Sequence, residues 1–308
     1  MSAFSESRPY KIVAGDAAGG TLSHAYLLVC PDGRNLRAFL KELAKLVLGA
    51  GARTARLIDE ESFADCRILP APGGKTGVAE VRDLLDECYL RPVEGEKKVF
   101  VLDAVQDMLA PAQNKLLKVL EEPPENVHFL LGTVNEFSVL TTVRSRAKRL
   151  DLFSFPESAI EAHLREAYPA RTDAKEIAAL SGGMLGRAEE LAAGGSLAEA
   201  EADAAQLLAS LSPAGVPLAA RRYGDRASAA GALSLIRLTL RDALMVRLGR
   251  EDLLLAGAEG ARRVAGRYSA EALVRALERA ADAEKDLKFN ANPAMCMEEL
   301  FIAILEGR

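Results

Sequence analysis

The 308-residue chain contains no Trp, and aromatic residues make up 5% of it. Its core must therefore be built from aliphatic side chains. Its four cysteines, Cys30, Cys66, Cys88 and Cys296, include no Cys-x-x-Cys pair. That excludes a zinc ribbon or dithiol redox motif made from sequence neighbours, and reduced thiols in a cytoplasmic protein are expected. There is no basic excess either, since 39 Lys+Arg face 44 Asp+Glu for a net charge of -5. Residues 1–150 hold 20 of each sign, so the acidic surplus lies entirely in the remainder. A protein gripping DNA by bulk charge would be basic, so any nucleic-acid role must be local or borrowed from partners. No apolar run approaches the ~20 residues of a membrane span. Met1 to Pro9 lacks the apolar segment of a signal peptide, so no membrane partner is expected. Low-complexity tracts are absent, which excludes a disordered or fibrous chain. What is present, 49% hydrophobic and 27% charged residues, is the balance of a globular chain long enough for two or three domains.

Short continuous apolar runs occupy the first half: Ala25 to Val29, Val99 to Leu102 and Val127 to Leu131. Continuous rather than alternating runs are expected of strands buried on both faces of a parallel sheet. Helical spacing separates them, over Leu36–Leu48, over Val78–Leu90 after Gly77, and over Ala112–Glu122. The last is bounded by Pro111 and by Pro123-Pro124, a start-and-stop pair. This alternation predicts an α/β layer fold. From Phe155 to Ala193 the pattern is helical and interrupted at Ser181-Gly182-Gly183, and Gly194-Gly195-Ser196 reads as a linker. Leu197 to Arg308 is Ala-, Leu- and Arg-rich and predicts an all-α region. The expected organisation is an α/β domain over 1–152, a small helical domain over 153–196 and a helical domain over 197–308.

The first strand runs into a helix through Cys30-Pro31-Asp32-Gly33-Arg34-Asn35-Leu36-Arg37. This is where α/β nucleotide-binding domains place a phosphate loop, because helix N-terminal N–H groups hold anions. The loop pattern G-x-x-x-x-G-K-[ST] fails at all four defining positions, which carry Cys30, Asn35, Leu36 and Arg37. Without the lysine no fixed cation meets the outer phosphates, and without the hydroxyl a magnesium ligand is missing. Arg37 reads as a solvated helix residue, with phosphate contact the lesser alternative. Gly73-Gly74-Lys75-Thr76-Gly77 imitates a phosphate loop, but its glycine spacing is wrong and no strong strand is read ahead of it. The strand ending at Leu102 is followed by Asp103 and Ala104. In ATPases of this layout Asp-Glu stands here, so the acid that would orient attacking water is an alanine. Self-catalysed ATP hydrolysis is not expected.

Four blocks carry a family resemblance. They are His24-Ala25-Tyr26-Leu27-Leu28, Asn114 through Leu120-Glu121-Glu122-Pro123-Pro124, Phe129-Leu130-Leu131-Gly132-Thr133 and Thr142-Val143-Arg144-Ser145-Arg146. In this order they resemble the AAA+ clamp-loader subunits of bacterial DNA polymerase III. Leu287 to Pro293 with Glu298-Glu299-Leu300 resembles the same family's collar signature. The resemblance implies a degenerate AAA+ domain, a helical lid and an all-α collar for oligomerisation. The degraded loop, with Gly33, Leu36 and Arg37, and the missing acid fit the delta-prime type rather than the ATP-hydrolysing gamma/tau type.

The family's Ser-Arg-Cys motif falls on Ser145-Arg146-Ala147. It implies that Arg146, aided by Ser145, reaches in trans as an arginine finger to ATP held by a neighbour. On composition alone Arg144, Arg146, Lys148 and Arg149 form a solvated basic edge, with Arg144 and Arg146 on one strand-like run. Thr133 stands at a sensor position and is read as vestigial. Arg187 lies near a second sensor, with a helix-surface role equally open. His24 is read as a structural hydrogen-bonding residue, while no partner is identified for His128 or His163. The four-cysteine zinc module of many relatives keeps only Cys66 between Gly49 and Lys75, so neither zinc nor any other cofactor is expected. Ala147 replaces the motif cysteine, and the stretch ahead of His24 is short for the family, which implies a reduced adenine pocket. The implied partners are gamma/tau and delta subunits, the sliding clamp and, within the complex, primed DNA. Two rivals stand beside this reading. One is a gamma/tau-type ATPase with an unorthodox loop, the other an AAA+ interaction protein outside replication.

Overall fold

Five strands form one parallel sheet in the order β2-β3-β4-β1-β5. The computed structural model describes residues 3–30, 32–71, 74–152, 154–194, 197–255, 258–288 and 291–306. Pro31, Gly73, the Gly195-Ser196 part of the expected linker and Phe289-Asn290 of the C-terminal signature lie outside them. In chain order the α/β part comprises α1 (Arg8–Ala18), β1 (Ala25–Val29), α2 (Gly33–Leu48), α3 (Ala52–Asp59), β2 (Cys66–Leu69), α4 (Val78–Cys88) and β3 (Lys98–Leu102). It continues with α5 (Ala110–Glu121), β4 (Val127–Thr133), α6 (Thr141–Arg144) and β5 (Lys148–Asp151). Two strands escape the hydrophobic pattern. Arg67 interrupts β2, and β5 reads Lys-Arg-Leu-Asp with its first two residues exposed, as sheet-edge positions permit. The strand ahead of the Gly74–Gly77 segment is β2, a four-residue edge strand interrupted by Arg67, where no strong strand was expected.

The central strands are buried on both faces, which explains their unbroken apolar runs. On one face Ala25, Leu27, Phe100, Leu102, Phe129 and Leu131 pack with Val81 and Leu84 of α4 and Leu116 and Val119 of α5. Phe100 and Phe129 stack there, with ring centroids 5.6 Å apart. On the other face α2 lies against β4. A Cβ at Gly132 would stand 2.6 Å from Leu40 Cδ1 and 3.1 Å from Leu36 Cδ1, so the absence of a side chain lets α2 approach. Phe4 stacks on Phe39 at 4.9 Å and meets Phe155 edge-on, closing the same side.

Helices α7 (Glu157–Ala167), α8 (Ala174–Leu180), α9 (Leu185–Ala193), α10 (Leu197–Ser210), α11 (Val216–Arg221), α12 (Arg226–Arg247), α13 (Ala258–Ala265), α14 (Ala270–Lys288) and α15 (Pro293–Glu306) follow. The chain divides into two compact units, residues 1–163 with 183–186, and 164–182 with 187–308. The second unit has its own aliphatic core around Leu208, Ile236, Leu240, Leu273, Met297 and Phe301. Tyr268 is buried in it and satisfies its hydroxyl on Leu208 O at 3.0 Å. Among the described residues no helix is long and apolar enough to cross a membrane.

Gly183 returns to the first unit because its carbonyl accepts from Phe155 N at 2.8 Å. Its φ is +82° and a Cβ would stand 2.4 Å from Ser154 Cβ. Gly183→Ala is therefore expected to lower unfolding free energy by about 2 kcal/mol, from left-handed backbone strain plus overpacking. Chemical denaturation measures it, and an unchanged midpoint would mean the segment relaxes freely.

Candidate functional site

The carboxyl ends of β1, β3 and β4, where a doubly wound sheet binds its ligands, carry the expected site positions. Helix α2 begins at Gly33, three residues earlier than the apolar spacing suggested. A Cβ at Gly33 would lie 2.9 Å from Val134 Cγ1, so the loop sits close against the end of β4. Asp32, at the N-cap, makes no side-chain cap bond to its own helix. Its carboxylate accepts instead from Gly186 N at 2.6 Å, where a Cβ on Gly186 would stand 2.3 Å from Oδ1.

Leu36, at the lysine position, is 1% exposed and packs beneath Gly132. Arg37 is not a solvated helix residue. Its Nε and Nη2 donate to the two oxygens of Glu61 at 2.7 and 2.5 Å, and Nη2 also donates to Pro70 O at 3.0 Å. Its Nη1 lies 3.6 Å from Asp103 Oδ2, and Lys41 Nζ completes the cluster 2.8 Å from Glu61 Oε1. Two cations and two carboxylates thus neutralise one another, each side chain at most 24% exposed. The Arg37 hydrogen bonds hold the Glu61 carboxyl down to about 2 against its burial, with Lys41 assisting. Burial pushes Asp103 up, and Arg37 opposes that rise. Glu61 adopts φ +56° just beyond α3, and Ala104 adopts φ +55° at the end of β3.

These groups do not fit a magnesium nucleotide. The lysine position is core, the hydroxyl position is a guanidinium already bound to the acid that would support the metal, and Ala104 offers no carboxylate. Thr133, fully buried, spends its hydroxyl locally, donating to Asn135 O at 2.9 Å and accepting from Asn135 N at 3.1 Å. The four cysteines are free and buried, and burial pushes Cys30, Cys66 and Cys88 up to about 12. No group of three or more His, Cys, Asp or Glu side chains suited to a metal occurs among the described residues.

The second set of positions follows α6. Arg144 is the last residue of that helix, not part of a strand, so it does not alternate with Arg146 along one face. Nor is the basic edge merely solvated. Arg144 and Arg149 both face Glu136 at 3.5 and 2.6 Å, Arg149 also bonds Asp151, and Lys148 pairs with Asp16 at 2.5 Å. Arg146 donates through Nη1 to Thr142 O at 2.8 Å and to Ser145 Oγ at 3.3 Å, and through Nη2 to Glu121. Ser145 Oγ itself donates to Thr142 O at 3.1 Å. Arg146 remains 32% exposed and its Nε has no acceptor. His24 Nε2 lies 3.1 Å from Arg146 O, and His128, for which the sequence indicated no partner, bonds Ser23 O through Nδ1 at 2.9 Å. Burial lowers His128 below the ordinary imidazole value. Arg187, in the second unit, is likewise lowered by burial, with Glu284 opposing, and its Nε is unpartnered.

Sequence reasoning missed Glu61, Lys41 and Glu121 as partners. For Glu61 there was no signal, since 24 residues separate it from Arg37. Lys41 had a faint one, because it follows Arg37 by one helical turn.

A five-stranded parallel sheet with helices on both faces, carrying phosphate-loop and acid-strand positions without their residues and a partly exposed arginine beyond β4, defines an α/β module of the AAA+ layout. Residues 6–156 match the family described as DNA polymerase III, delta subunit. The chain is 34% identical over 152 residues to the tau/gamma subunit of DNA polymerase III from Haemophilus influenzae, covering 46% of this chain and 22% of that one. It is 33% identical over 149 residues to the delta′ subunit from Yersinia pestis, covering 45% and 44%. A gamma subunit-related protein of Thermotoga maritima superposes with a TM-score of 0.43 at 18% identity, covering 96% and 99% of the two chains. The chain belongs to the bacterial DNA polymerase III clamp-loader family. It spans less than half the length of the curated relatives it matches.

Proposed function

We propose that this chain is a delta-prime-like, non-hydrolysing subunit that helps load the sliding clamp on primed DNA. In this reading it stands beside gamma/tau and delta subunits, held by a collar over 197–308 with a lid over 153–196. The observation that carries it is the ion-paired cluster of Arg37, Glu61, Asp103 and Lys41, which takes the place of a magnesium site. Its chemical contribution is then made in trans. Arg146, aided by Ser145, is offered to the γ-phosphate of a neighbour's ATP, where a guanidinium stabilises charge spread over the transferring phosphoryl group. Arg146 suits this role because its guanidinium is planar, permanently charged and, at 32% exposure, partly open to a neighbour. The acidic second half needs no DNA charge of its own when partners share the contacts.

The isolated chain is expected to show no magnesium-dependent ATP turnover, measured by phosphate release against a gamma/tau control. Turnover above background that Arg37→Ala alters would overturn this reading in favour of a gamma/tau-type ATPase. Co-purification with gamma/tau and delta tests the partners. Failure to form that complex would leave an AAA+ interaction protein outside replication.

A further inference from the structure

We propose that His24 is a positioning residue for Arg146, holding the finger loop at a fixed distance from the sheet; the inference rests on the trans role of Arg146 proposed above. The three residues 145–147 join α6 to β5, a connection that a one-residue shift could swing. His24 Nε2 and Arg146 O are 3.1 Å apart, and a carbonyl can only accept, so the ring proton sits on Nε2.

The base from which His24 reaches is itself pinned at several points. Phe129 N donates to His24 O at 2.8 Å, tying it to the central strand β4. Ser23 N donates to Tyr26 Oη at 2.9 Å, and the His128 ring bonds Ser23 O at 2.9 Å. Tyr26 Oη in turn donates to Asp16 at 2.7 Å. The imidazole therefore extends from a rigid strand start to the backbone of the finger residue, 122 positions away in sequence.

The other end of Arg146 is held at the surface, by contacts that include an exchangeable ion pair. Its guanidinium rests on Thr142 O, Ser145 Oγ and the half-exposed Glu121. An exposed ion pair contributes little and exchanges readily, so the side chain can leave Glu121 for a phosphate while His24 keeps the backbone in place. Backbone held and side chain released is the arrangement a trans-acting arginine requires, because a small misplacement of a transition-state contact costs rate steeply.

The test is clamp- and primed-DNA-stimulated ATPase of the complex reconstituted with gamma/tau and delta. His24→Ala and His24→Phe, which lack the donor, are expected to lower kcat about threefold to tenfold with KM for ATP unchanged, the effect of one lost hydrogen bond. His24→Gln, whose amide nitrogen can occupy the Nε2 position, is expected to restore most of that loss. In an Arg146→Ala background His24→Ala should add nothing, because with the guanidinium gone the placement of that backbone no longer bears on the reaction. A normal kcat for His24→Phe beside a slow Arg146→Ala would overturn the positioning role alone. So would an equal further loss in the double variant, which marks a general structural defect. A normal rate for Arg146→Ala would overturn the finger reading and this inference together.

Discussion

If Arg146 acts in trans as proposed, replacing it by Ala is expected to slow hydrolysis at a neighbour's ATP by on the order of 10³-fold, while the chain folds and assembles normally. Folding should barely change because the Arg146–Glu121 pair joins side chains that are 32% and 50% exposed. Such pairs are worth about 0–1 kcal/mol. The transition-state loss is far larger, about 4 kcal/mol for a 10³-fold effect. Lysine should not rescue it, since a point charge cannot reproduce the planar fork of donors. Single-turnover hydrolysis by the reconstituted complex isolates the affected site from the others. Equal rates for wild type and variant would remove Arg146 from the chemistry.

Glu61→Gln is the substitution expected to destabilise the chain most, by about 3 kcal/mol. It leaves Arg37 with Asp103 at 3.6 Å and Lys41 with the Asp59 carbonyl at 2.9 Å, in a cluster whose side chains are 16–24% exposed. Breaking such a pair from one side strands the other charge in a poorly solvated place, which costs more than the pair itself contributes. The urea midpoint should fall with the slope unchanged, since the unfolded surface is the same. The same group sets an acid dependence. Glu61 titrates at about 2 in the folded chain against an ordinary 4.5, because Arg37 and Lys41 favour its charged form. Its contribution is fully present above pH 4.5 and is lost as the pH falls from there toward 2, on the order of 3 kcal/mol across that window. Glu61→Gln should abolish that part of the acid slope. A variant within about 0.5 kcal/mol of wild type, with the slope retained, would mean the cluster is inert.

The β1–α2 loop and the arginine loop differ in how they were legible. Leu36, Arg37 and Ala104 could be read as losses because each replaces a residue type the phosphate chemistry needs at a fixed spacing. What fills the vacated chemistry could not be read, because Glu61 arrives from beyond α3 and Gly186 from beyond α8. The same holds for His24, whose partner is a backbone carbonyl and so leaves no trace in residue type. Arg144 was misassigned to a strand for a local reason: Thr141–Arg144 is one helical turn, too short for any periodicity to register.

By itself the sequence determined the α/β half and the helical half, the three central strands, the position of α5 to within two residues, and the absence of the lysine and the water-activating acid. These follow from periodicity, proline placement and residue chemistry, which act over a few neighbouring positions. The tertiary structure alone decided that Arg37 is bonded inward to Glu61 and Asp103, that Asp32 holds the Gly186 amide, and that β2 and β5 complete the sheet. It also decided that His24 meets the carbonyl of Arg146. These are pairings between segments far apart in the chain, and charge and hydrogen-bond partners become specific when packing brings the segments together.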